Sequence, residues 1–210
     1  MEKHIHSPNC NHDHEHDENH FDNEALDDNT VSIKDLVYSR QVIEMITVAN
    51  DFCLFLEKCE TLNKSQILEY LHRIAPLLYL KGSLLPDVQL SDPEATERFV
   101  NEIQWEAIFN SMKKILENSD TFYYTDSNLD TIEASIAEHL ADIYQDLKDF
   151  VWLYQKDTLN PKQNAVFECK ALFQTNWGIK LTEAMRAMHL VLFNQQILTS
   201  NSNNENWEND

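Results

Sequence analysis

The sequence predicts an all-α fold, a single antiparallel bundle of five or six helices between disordered acidic tails. Three observations carry that expectation. Glycine is nearly absent, with only Gly82 and Gly178 in 210 residues, whereas hairpins and bulges draw on Gly for positive φ. Apolar residues recur at three- and four-residue steps through the middle of the chain. Helix-start chemistry recurs in register with that period.

Residues 1–31 are rich in charge and poor in large apolar groups. They cannot bury enough surface to offset the entropy of ordering, so they read as a disordered tail. Ser32 with Asp35 makes a capping arrangement that opens a helix to about Lys58. Asn63 with Gln66 caps the next, 64–85, where Pro76 predicts a kink or break near Ala75. Asp92-Pro93 sets a cap residue before a proline at the first helical position and opens another helix. The segment 119–129, SDTFYYTDSNL, has no helical period and reads as the longest internal loop. Asp130 with Glu133 opens the clearest helix, 131–156. Its Ile136, Leu140, Ile143, Leu147, Phe150, Val151 and Tyr154 form one buried stripe. Asn160-Pro161 with Gln163 opens the final helical stretch, 161–199, which Gly178 bends or divides. The domain thus spans 32–199, and 200–210, SNSNNENWEND, reads as a second disordered tail.

The formal net charge is −20, and the first 30 residues, with one Lys and nine Asp or Glu, hold −8 of it. Such a surface repels phosphate backbones, so nucleic-acid binding is not expected, while a cation or a basic protein partner would be attracted. Cys10, Cys53, Cys59 and Cys169 form no C-x-x-C pair, which fits reduced thiols in a cytoplasmic protein. The opening residues lack the apolar core of a secretory signal. No apolar run approaches the roughly 20 residues that span a bilayer, so no membrane partner is expected.

ANDFCLFLEK, LLYLKGSLLP, the stretch from Gln104-Trp105-Glu106 to Phe109, LADIYQDLKDF, NAVFECK and NWG lie within 45–193. Together they resemble a bacterial domain-of-unknown-function family, number 5063. The resemblance implies a single all-helical domain in cytoplasmic proteins. It brings no known reaction, so it assigns no catalytic residue, and the tail 1–31 lies outside it.

The sharpest chemical feature is that tail. His4, His6, His12, His14, His16 and His20 crowd beside Cys10 and several carboxylates. Alternate residues of an extended chain project to one side, so His12, His14 and His16 can converge on one ion. Imidazole suits Zn²⁺, Ni²⁺ and Cu²⁺. The blander reading is a solubilising acidic segment.

A second feature is the acidic row Glu138, Asp142, Asp146 and Asp149, which falls in one helical sector nearly opposite the Leu140–Leu147 stripe. Facing another acidic helix, it would hold Mg²⁺ or Mn²⁺ as all-α nucleotide pyrophosphatases do. Glu94-x-x-Glu97 and Asp146-x-x-Asp149 imitate their spacing loosely. A row opposite the apolar stripe is, however, more often simply wet, and acids in a first turn complement the helix dipole.

Phe122, Tyr123 and Tyr124 could rim a groove or fold back onto the bundle, and Trp105, Trp152 and Trp177 lie on helices. His72, His139 and His189 have no nucleophile context, and His189 reads as a hydrogen-bonded core-edge residue. Cys169 reads as a small buried hydrophobe. The leading expectation is a noncatalytic cytoplasmic interaction or adaptor domain with a metal-binding tail for Zn²⁺ or Ni²⁺. One alternative is a metal-dependent hydrolase with Asp142, Asp146 and Asp149 as ligands. Another is a metal buffer or delivery protein working through residues 4–20.

Overall fold

Capping chemistry sets most helix boundaries in the computed structural model, which describes residues 32–204 and their side chains to 193. The expected tail 1–31, with its histidines, lies outside the described residues. Ser32 Oγ accepts the Asp35 N–H at 3.1 Å and starts α1 (Ile33–Val37). The single helix expected from Ser32 to Lys58 is divided. The Tyr154 hydroxyl donates to the Val37 carbonyl at 2.9 Å, and the chain extends through Ser39 before α2 (Arg40–Lys58) begins. Asn63 and Gln66 form the expected reciprocal capping box at the head of α3 (Lys64–Ser83). That helix runs through Pro76 unbroken, so the break allowed for near Ala75 does not occur. The proline is exposed, while Leu71, Ala75, Leu78 and Gly82 continue the buried side.

Asp92-Pro93 opens no helix. Asp92 accepts the Glu94 N–H on its side chain and the Ala95 N–H on its carbonyl, both at 3.0 Å, making a turn in an irregular strap, 85–101. The helix starts later, at α4 (Glu102–Leu116), under an Asn101–Gln104 capping box.

The expected loop is instead a hairpin, and the first five residues of the expected helix 131–156 are its second strand. β1 (Thr121–Thr125) pairs antiparallel with β2 (Thr131–Ser135), with Phe122 opposite Ala134 and Tyr124 opposite Ile132. The turn is built without glycine. Asp126 Oδ1 accepts the N–H groups of Asn128 and Asp130 at 2.9 Å, and Leu129 takes φ 68°. A non-Gly residue there costs on the order of 1 kcal/mol, which the Asp126 bonds and ten paired strand residues offset.

α5 (Ile136–Tyr154) begins where Ser135 Oγ accepts the Glu138 N–H at 3.1 Å and Asp120 Oδ1 accepts the Ala137 N–H at 2.7 Å. α6 (Leu159–Thr175) starts just ahead of the expected Asn160-Pro161 signal, behind Thr158. The division near Gly178 is present, but Asn176, the residue between α6 and α7 (Trp177–Asn204), makes the break.

Cross-contacts run antiparallel. His72 meets His189 while Gly82 meets Trp177, so α3 and α7 oppose one another. His139–Glu183 and Asp146–Asn176 set α5 against α7 in the same sense. Among the described residues, and apart from the hairpin, the fold is therefore an all-α bundle of six long helices, α2 to α7. α5 is its axis: fourteen of its 19 residues are buried, and α2, α4, α6 and α7 all pack on it. No helix among the described residues is long and apolar enough to cross a membrane.

Candidate functional site

Because fourteen of the 19 residues of α5 are buried, Asp146 and Asp149 among them, its acidic row is not the wet face that the helical wheel predicts. Asp146 and Asp149 are each only 7% exposed. Asp142 accepts the Trp105 indole N–H at 2.8 Å and pairs with Lys180 at 2.5 Å. Asp146 accepts from the Asn176 amide at 2.7 Å, with Arg98 at 3.9 Å. Asp149 accepts the backbone N–H groups of Phe99 and Val100, both at 2.8 Å, and pairs with Arg98 at 3.3 Å. The three carboxylates thus tie α4, the strap and α7 to the axial helix. Glu138 is exposed on the first turn of α5.

A metal ion at this row would have to displace Arg98 and Lys180. The space among Arg98, Asp146, Asp149 and Glu168 is about 10 Å³, too small for an ion with its water shell. Burial pushes both the Asp146 and Glu168 carboxyls above their ordinary range. Glu97, from the expected partner motif, pairs with Lys156 at 3.1 Å on the strap. Among the described residues, no group of three or more His, Cys, Asp or Glu is arranged to hold a metal. The tail histidines His4 to His20 lie outside the described residues.

Nucleophilic chemistry has no better footing. Cys53, Cys59 and Cys169 are buried free thiols, and burial pushes the thiols of Cys53 and Cys169 well above their usual range. A thiol that resists ionisation is a poor nucleophile. His139 is oriented by Glu183 at 2.8 Å and sits edge-on to Phe122, with no hydroxyl or thiol among the described residues bonded to it. A groove of about 420 Å³ between α2, α4 and α5 holds Glu57, Tyr144 and Lys148. Its polar groups satisfy one another: Glu57 accepts from Tyr144 at 2.9 Å and from Lys148 at 2.6 Å.

Among the described residues, the outer side of α3 and its seam with α7 carry exposed apolar side chains. Leu77, Leu80 and Leu84 are 41%, 51% and 48% exposed, and their spacing makes one outward stripe. Across the seam, His72, Met185, Arg186, His189 and Leu190 line a groove of about 340 Å³. Arg186 also lines a neighbouring hollow of about 340 Å³ against Tyr123, Tyr124 and Thr131 of the hairpin. Of the three consecutive aromatics, Tyr123 is exposed and bonded to Glu133, whereas Phe122 and Tyr124 are half-buried. Rim and fold-back are thus divided along one strand, as alternation on a strand requires.

The family model of a domain of unknown function, DUF5063, matches residues 36–194. The chain belongs to the DUF5063 family. It is also similar to the crystal structure of protein BF1032 from Bacteroides fragilis, at 36% identity and a TM-score of 0.68, over 74% of this chain and 94% of that one. Among proteins of curated function, none matches it.

Sequence reasoning missed two groups of residues in this DUF5063 domain. Asn164, fully buried on α6, holds the strap by accepting from Ser91 N–H at 2.9 Å and donating to the Asp92 carbonyl at 2.6 Å. NAVFECK carried the resemblance, but nothing in it marked Asn164 as a clamp. The exposed leucines lie inside the apolar pattern of the helix expected over 64–85. Their one available signal is LLYL, which is too apolar for the buried side of one helix alone.

Proposed function

We propose that the domain is a noncatalytic protein-interaction module of the cytoplasm, an adaptor whose docking surface is the outward stripe of α3. The observation that carries this reading is the row Leu77, Leu80 and Leu84, each about half-exposed at helical spacing. Single exposed leucines need no explanation, but a stripe is what a partner's groove or helix reads. The net charge of −20 selects a partner whose apolar contact is ringed by basic residues. The engaged carboxylates of α5 and the buried thiols support a noncatalytic role. The histidine-rich tail, through His12, His14 and His16, adds a Zn²⁺- or Ni²⁺-binding segment to this module.

The test is a photo-crosslinking amino acid placed in living cells at Leu80, with Lys114 on the exposed side of α4 as the control position. One partner captured at 80 and not at 114, and lost when Leu77→Glu and Leu84→Glu are added to a protein that still melts normally, is the expected result. No capture at 80, or equal capture at both positions, would remove the proposal.

A further inference from the structure

We propose that His72 and His189, facing each other across α3 and α7, form a two-histidine site for a borderline or soft transition-metal ion, Zn²⁺ or Cu⁺. His72 Nε2 and His189 Nδ1 are 3.1 Å apart. Two imidazole nitrogens bound to one ion at about 2.0–2.1 Å each lie about 2.9–3.4 Å apart, for angles between a right angle and the tetrahedral value. The observed separation therefore already matches the bite of one ion. Without metal, one ring donates its N–H to the other. On binding, that ring moves its proton to its outer nitrogen, and both facing nitrogens become ligands with no net change of charge on the protein.

The site is preorganised by its surroundings. Each ring stands on a long helix, and α3 and α7 are held together by Trp177 at the head of α7 against Gly82 of α3. Phe193 packs on both imidazoles, at 5.5 Å from His72 and 4.6 Å from His189. Met185, one turn before His189, lines the same groove. Nitrogen donors beside a thioether suit Zn²⁺ and Cu⁺ and are rejected by Mg²⁺ and Ca²⁺, which take oxygen. Water fills the remaining positions of the ion. Arg186 also lines the groove, and its charge limits the affinity for a divalent ion.

Such an ion staples two helices of the bundle, which separates it from any ion held by the tail. In the full chain, Zn²⁺ or Cu⁺ at a hundredfold excess over half-saturation is expected to raise Tm by about 5–10 °C. Mg²⁺ is expected to leave it unchanged. His72→Ala and His189→Ala, each folded by circular dichroism, are expected to lose most of the rise. Ring signals of His72 and His189 in the unmutated protein, followed by nuclear magnetic resonance, give a second readout that needs no variant, and both are expected to shift with the ion. An equal rise in the variants, a rise with Mg²⁺, or ring signals that stay put while the ion is in excess would overturn the site.

Discussion

Gly82 lies against the six-membered ring of the Trp177 indole. A methyl group on its α-carbon would strike the ring, and it would also come within 2.8 Å of Phe173. Trp177 has no room to retreat, being fully buried with its N–H bonded to the Cys169 carbonyl at 3.0 Å. Alanine is the better helix former by about 1 kcal/mol, but overpacking a rigid contact costs about 1–3 kcal/mol on its own. Gly82→Ala is therefore expected to destabilise the domain, read as a lower urea midpoint. A midpoint unchanged or raised would show that the two helices separate easily here.

Asp149 gives a second test, because two readings of the same residue differ in outcome. As a tether it accepts two backbone N–H groups from the strap. Asp149→Ala leaves both donors without it and is expected to cost about 2–4 kcal/mol in denaturation. Asp149→Asn retains an acceptor and is expected to cost less than half as much. As a metal ligand, Asp149 would instead give a Mg²⁺-dependent rise in Tm that Asp149→Ala abolishes.

The pH dependence of Asp146 has a definite sign. Burial raises its carboxyl above the ordinary 3.8, against the opposing effects of Asn176, Arg98 and Lys180. The folded chain thus holds that proton at pH values where the unfolded chain has released it. Its contribution favours folding below 3.8 and is lost as pH rises through the raised value. Asp146→Asn removes this dependence. The stability of the variant relative to the parent should increase across that window and level off above it, in urea titrations taken at half-unit pH steps. A difference that stays constant, or falls with pH, would mean that the neighbouring cations outweigh burial.

Asn164 is the clamp on the strap. Its buried amide answers Ser91 on one side and the Asp92 carbonyl on the other. Asn164→Ala is expected to cost about 2–4 kcal/mol, and Asn164→Asp should not rescue it, since a carboxylate cannot donate to the Asp92 carbonyl. Limited proteolysis should then cut first within 86–100. Cutting first in the exposed hairpin turn instead would show that the strap is held by other contacts.

These residues also mark where sequence and structure part. Asn63 with Gln66, and the apolar stripe from Ile136 to Tyr154, are local signals, and they were readable because caps and helical period act within a turn or two. Ser135-x-x-Glu138 carries the same start chemistry as Asp130 with Glu133, five residues apart. Nothing nearby chooses between them. The choice is made by Asp120, which lies across the hairpin and bonds both Ser135 and Ala137. Glycine scarcity pointed away from hairpins, yet Asp126 built the turn with its side chain and Leu129 accepted the left-handed backbone. The acidic row was legible as a row, but its partners Arg98, Asn176 and Lys180 come from other elements. His72 and His189 are 117 positions apart and become neighbours only through antiparallel packing.

The burial of most of α5 also decides where the chain tolerates a change of length. One extra residue inside that helix would turn everything beyond it by about 100° and swing its aspartates away from Trp105, Lys180 and the strap in a single step. The hairpin turn at 126–130 is largely exposed among the described residues and can lengthen freely. Insertions among relatives should therefore gather at that turn, while the axial helix keeps its residue count.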